Sequence, residues 1–207
     1  MTENELKLSD IQKDALKETA NVGAGNAATA LSEIVKKKVN LVISDLNFVS
    51  LNNLQEVIGG PKKLVVGIYT PVTGDLSGSI VLIFPIEAAL SLASAMQKTQ
   101  VGSSNILSEE DQQVLRNMGN IVCDPYLTSL SQFLEMKMGR EDSKVVSTFG
   151  ESIIDLIMLT IDKDAESGLL IKTGFDIEKS DIKGEFVLLL TMKKVDQVLN
   201  KIKEKSG

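Results

Sequence analysis

Shifted along itself by 99 residues, the chain meets its own pattern: "LSDIQKDALKETANVGAGNAATALSEIV" (8–35) lies on "LSEEDQQVLRNMGNIVCDPYLTSLSQFL" (107–134). Leu8, Ser9, Leu16, Asn21, Thr29, Leu31 and Ser32 recur as Leu107, Ser108, Leu115, Asn120, Thr128, Leu130 and Ser131. A second match, shifted by 106, sets "LVVGIY…LSGSIVLIF" (64–84) on "LIKTGF…IKGEFVLLL" (170–190), with Gly78 over Gly184. Self-similarity on this scale means one folding unit used twice. Each half-repeat, about 8–97 and 107–205, reads as a long helix, then strands, then a closing helix. The 207 residues are enough for one domain with a sizeable core. The expectation is a single α/β domain over residues 1–207 with pseudo-symmetric halves. Its two long helices pack side by side on a mixed or mainly antiparallel sheet.

Both long segments open with a helix start. Ser9 with Gln12, and Ser108 with Asp111, put a hydroxyl cap three residues before a side chain that can reach back. Ile11, Ala15, Leu16, Thr19 and Val22 then recur at helical spacing. Candidate helices cover 9–36, 86–97, 108–135 and 193–204; candidate strands cover 39–44, 64–70, 78–84, 168–175 and 184–191. The stretch 150–162 fits either periodicity, and "VGSSN" at 101–105 reads as the joint between halves. Gly23, Gly25 and Ala28 match the G-x-G-x-x-G/A dinucleotide fingerprint, with Asp45 about 20 residues downstream. That fingerprint needs a strand, a tight turn and then a helix, whereas these glycines lie within a helical pattern. The second copy holds Val122 and Asp124 in their place, so the nucleotide reading is set aside. A mid-helix glycine costs about 1 kcal/mol relative to alanine. The small residues from Gly23 to Ala30 would offset this by letting another backbone approach, either the helix at 107–134 or another protein.

Composition narrows the chemistry. A net charge of -6 and a pI near 4.9 argue against nucleic acid or an anionic membrane surface as partner. The polar start "MTENELKLSDIQKD" and the lack of any apolar run near the ~18 residues of a membrane span point to a cytoplasmic protein without membrane insertion. The chain has no histidine and one cysteine, Cys123. This removes the usual nucleophile–base pairs, most zinc sites and the common proton shuttle. Cys123, with no histidine to activate it, reads as a small buried apolar residue. Carboxylates, amides, hydroxyls and lysines are left to carry any chemistry, and no metal site is expected.

Asp14, Glu18 and Asn21, spaced i, i+4, i+7, project from one helix face. A solvated polar stripe would look the same. Yet Asn21 recurs as Asn120 in a repeat whose exposed positions have mostly changed, and asparagine is a poor residue for a helix interior.

With these residues on the page, the chain resembles the CheC family of chemotaxis phosphatases, within the group that includes CheX and FliY. The resemblance rests on "LKETANVGAGNAATALS", "LRNMGNIVCDPYLTSL" and "PVTGDLSGSIVLI" and covers nearly the whole chain. It implies hydrolysis of the aspartyl phosphate of the response regulator CheY, with CheD as a further possible partner. Carried over, Glu18 and Asn21 would be catalytic and Asp14 a rim contact to the partner. In the second copy Gln113, Asn117 and Asn120 stand at the motif positions, so the glutamate is lost and that site is degenerate. The family often has a proline 23 residues after each motif asparagine; here Ser44 and Ser143 stand there. Pro125, inside the second long helix, is expected to kink it. An acyl phosphate already activated beside the regulator's Mg2+ needs no cofactor from this protein, only an oriented water, which an amide can hold. Glu18 would pair with the regulator's lysine. The alternative is a non-enzymatic adaptor that uses the same surfaces to bind CheD or the flagellar switch. A weaker third is a switch component like FliY, against which stands the absence of a further switch-type domain.

Overall fold

The computed structural model describes residues 9–53, 64–100, 106–158, 166–191 and 200–204. Helix α1 spans Asp10–Val35, and strand β1, Val39–Ser50, follows it. The hairpin of β2 (Leu64–Gly74) and β3 (Ser77–Pro85) leads into α2, Ile86–Gln97. The second half opens with α3, Glu109–Leu134, and continues with the short β4 (Met138–Arg140) and β5 (Lys144–Phe149). A turn of 3-10 helix and α4, Ile153–Met158, precede the hairpin of β6 (Ser167–Ile177) and β7 (Lys183–Thr191). Residues 200–204 are helical; the rest of the helix expected over 193–204, the joint at 101–105 and residues 159–162 lie outside the described residues.

The 99-residue offset is visible atom by atom. Both capping boxes form: Ser9 and Ser108 each accept from the backbone three residues on, and Gln12 and Asp111 reach back. The buried positions of α1, Leu16, Ala20, Gly23, Ala24, Ala27, Leu31 and Val35, recur in α3 as Leu115, Gly119, Val122, Cys123, Tyr126, Leu130 and Leu134. Thr29 donates its hydroxyl to the Gly25 carbonyl as Thr128 does to that of Asp124. Both helices stop at a left-handed residue, Lys36 and Glu135. Helix α3 runs unbroken through Pro125. Gly23 explains how closely the two helices meet: a Cβ there would lie 2.8 Å from the Tyr126 Cα. Gly25, two residues on, faces open space.

One antiparallel sheet holds both halves, in the order β1-β6-β7-β3-β2-β4, with β5 also on β2. The first strand of each half pairs with the second half's or first half's hairpin, not its own: β1 with β6, and β4 and β5 with β2. The hairpins meet at β3 and β7, where Val81 faces Val187, positions that are equivalent at the 106-residue offset. A local two-fold axis therefore passes between them. The same offset fails for the outer strands of the hairpins. Val72 pairs with Gly78 while Asp176 pairs with Lys183, so the connection 178–182 is longer than 75–76 and β2 falls on β6 at an offset of 103.

Helices α1, α2 and α3 cover one face of the sheet. Their apolar sides close on Val66, Ile68, Ile80, Leu82, Phe84, Leu169, Ile171, Phe186 and Leu188 in one core. The Tyr126 ring packs tilted against Phe186 at 4.7 Å, and Phe84 meets Phe175 edge-on at 5.0 Å. A smaller core on the opposite face packs Val65, Tyr69, Val81, Leu170, Val187 and Leu189 under Ile153, Ile154 and Ile157 of α4. Strands buried on both faces read as continuous apolar runs. That is why "SIVLIF" and "FVLLL" are strands although neither alternates.

Candidate functional site

The sheet fixes the sides of α1 and α3 that must be buried, and so fixes what they show to solvent. With Leu16, Ala20, Gly23, Ala24 and Ala27 turned inward, helical geometry sends Asp14, Glu18 and Asn21 outward, and all are exposed. Their side chains have no hydrogen-bond or ion-pair partner among the described residues. Ile11 and Val22 flank them, 66% and 56% exposed, although both are apolar. Gly25 continues the same face with nothing above it. The result is a strip with two carboxylates, one amide free to donate and accept, an apolar rim and a low point where another molecule can come close to the backbone.

The corresponding face of α3 is occupied by its own side chains. Gln113 donates to Asn117 Oδ1 at 3.2 Å and accepts from Arg116 at 2.9 Å. Asn120 is half-buried, and three donors converge on its Oδ1: Arg140 Nη1 at 2.9 Å, the Ser143 hydroxyl at 2.9 Å and the Ser143 backbone N–H at 3.2 Å. The guanidinium and the N–H can only donate, so the amide oxygen must face them. Arg140 is in turn held by a two-pronged pair with Asp124, Nε–Oδ1 2.6 Å and Nη2–Oδ2 2.9 Å. That carboxylate raises the guanidinium's pKa above its usual value. Ser143 also shares a 2.6 Å hydrogen bond with buried Thr70.

Ser44, the first-copy counterpart of Ser143, does nothing of the kind. A register shift in the pairing of β1 with β6 falls between Ile43 and Asp45, and the Ser44 hydroxyl donates to the Lys172 carbonyl. Leu41 and Gly25 stand where the second copy has Arg140 and Asp124. Arg140, Asp124 and the structural use of Ser143 went unseen in the sequence. The 99-residue offset lays 39–50 on 138–149 and so sets Arg140 over Leu41 and Ser143 over Ser44, while Asp124 stands over Gly25 on the helix.

Cys123 is buried between α3 and the sheet, and burial pushes its thiol up to about 12. It is inert at neutral pH, as an apolar filler would be. Among the described residues no group of acidic, cysteine or histidine side chains is arranged to hold a metal ion. Within the same residues no helix is long and apolar enough to cross a membrane.

The profile of the CheC-like family matches residues 11–41, the span of α1 and the start of β1. The CheY-P phosphatase CheC of Bacillus subtilis is 23% identical over 169 residues, 81% of each chain. Among solved structures, FliY of Thermotoga maritima superposes with a TM-score of 0.72 at 20% identity, covering 96% of this chain and 98% of that one. A chain of the CheX-CheY-BeF3-Mg2+ complex from Borrelia burgdorferi matches with a TM-score of 0.53 at 16% identity, over 84% of this chain and 97% of that one. The matched helix, the relatives and the shared fold agree: the chain is similar to the CheC-like family.

Proposed function

We propose that this protein removes the phosphoryl group from the aspartyl phosphate of a CheY-type response regulator through the open face of α1. The carrying observation is the contrast between two equivalent asparagines: Asn21 is exposed and unengaged, while the Asn120 oxygen is used up within the fold. An exposed amide can accept a hydrogen bond from a water and donate one to a phosphoryl oxygen at once, which places the water for in-line attack. Glu18, one turn before it, would pair with the cationic groups around the regulator's phosphorylated aspartate. Asp14 would add a contact at the rim, and Ile11 and Val22 would bury apolar area beside it. The metal needed by the reaction, Mg2+, would come with the phosphorylated partner, and this protein would bring no cofactor of its own. The relative from B. subtilis is a CheY-P phosphatase by name, and the Borrelia complex contains CheY, which supports the choice of partner.

Measuring phosphate loss from a phosphorylated CheY-type regulator tests this directly. Wild-type protein should accelerate it, and Asn21→Ala should lower kcat by about a hundredfold with the fold intact. Glu18→Gln removes a charge from a desolvated contact, a loss on the order of 2–5 kcal/mol, and should show as a raised KM more than a lowered kcat. A Glu18→Gln protein that binds normally but turns over slowly would give Glu18 a role on the water instead.

The second reading is an adaptor for CheD or the flagellar switch, favoured by the engagement of the second motif in structure. It requires that wild-type and Asn21→Ala proteins leave the regulator's phosphate equally untouched.

A further inference from the structure

We infer that the second copy of the motif is silenced by an internal lock, in which Ser143 and the Asp124-anchored Arg140 hold the Asn120 oxygen, as well as by its missing glutamate, and that opening the lock turns it back into a working site. The inference rests on the proposed function for its chemistry and on this structure for its geometry. A carbonyl oxygen offers two lone pairs, and the Asn120 oxygen receives three donors, so none is left to hold a water. Both Arg140 and Ser143 must let go, because the hydroxyl and N–H of Ser143 fill both lone pairs by themselves. The Arg140 side chain is 18% exposed and is anchored by Asp124, which is 60% exposed. The protein's first half supplies the comparison. There Leu41 replaces the guanidinium, Gly25 replaces its anchor, Ser44 turns away to Lys172, and Asn21 is left unengaged. Arg140 is thus a positioning residue: it makes Asn120 a cross-link from α3 to the connection between β4 and β5. The contact also ties the two short strands to the helix.

The test is carried out in full-length protein with Asn21→Ala, which silences the first site. Asn117→Glu restores the missing carboxylate with the lock closed; Asn117→Glu with Arg140→Leu and Ser143→Pro, which removes the hydroxyl and the N–H of Ser143 together, restores it with the lock open. The second combination should dephosphorylate the regulator roughly tenfold or more faster than Asn21→Ala alone, and the first should not. Equal recovery by both, or recovery by neither in a protein whose wild type is active, overturns the inference. Asp124→Gly, which releases the guanidinium from its anchor, replaces Arg140→Leu if that variant folds poorly, and with Ser143→Pro and Asn117→Glu it should give the same gain.

A thermal-melting cycle tests the lock apart from any catalysis. Asn120→Ala and Arg140→Leu, made singly and together without other changes, should lower Tm by less in combination than the sum of the two, because each breaks the same contact. Additive losses show that no such contact exists. If wild-type protein has no phosphatase activity, the proposed function fails while the melting cycle still decides the lock.

Discussion

Two glycines two residues apart have opposite duties. Gly23 sits where α1 and α3 nearly touch, and Gly25 lies over empty space on the outward face. Gly23→Ala gains the helix propensity of alanine, about 1 kcal/mol, but forces a methyl against the Tyr126 backbone, and overpacking of that sort costs about 1–3 kcal/mol. Gly25→Ala gains the propensity with no such clash. Thermal melts should therefore show Gly23→Ala less stable and Gly25→Ala more stable than wild type. Because Gly25 lies beside Glu18 and Asn21 on the proposed docking face, the stabilised variant should also bind the phosphorylated regulator more weakly. The sequence raised both possibilities for this small-residue run, internal packing and a partner, and no local signal divides them. Only the depth at which α1 sits against α3 does so.

At the level of elements, the long helices were legible because each carries its own instructions: a capping box, a period and a repeat of both. Ser9→Ala and Ser108→Ala each remove a cap worth about 1 kcal/mol, which should lower Tm by about 2–4 °C in a chain of this size. The α3 cap also depends on pH. Partial burial alone would raise the Asp111 carboxyl, but hydrogen bonds from Ser108 and Gln97 outweigh it and hold the group below its usual value. A depressed carboxylate contributes stability above the ordinary value of about 3.9 and loses it as pH falls through the folded one. The Tm penalty of Ser108→Ala should thus be smaller at about pH 2.5 than at neutral pH. Strands β4 and β5 escaped notice because "MGREDSKVVSTF" is broken by charges and shows little alternation. They exist through pairing with β2, a tertiary cause that propensity cannot report. The lock escaped for the same reason, since Arg140 and Asp124 are 16 residues apart with a helix end and a turn between them.

For the whole molecule, the exchange of first strands means that neither half owns a complete sheet. Fragments cut in the connection between α2 and α3 should each be largely unfolded alone, by circular dichroism, and should recover native structure when mixed. A half that folds by itself with a cooperative melt would contradict the interleaving. The fold class and the doubled plan could be read from the sequence, because buried helix faces and buried strands repeat together. The exchange could not, because an offset says which segments are equivalent and not which of them are neighbours.

That exchange also governs how such a gene is free to drift. Duplication ordinarily gives a spare that mutation can erode or delete, yet here the spare forms the neighbouring strands on which the other half depends. On the proposed function its carboxylate was dispensable and its amide free for mechanical use, but its helix, its strands and their register are bound to the survival of the partner half. Inheritance in this architecture is a shared liability: catalytic duty can pass to one side, while the obligation to keep folding stays with both.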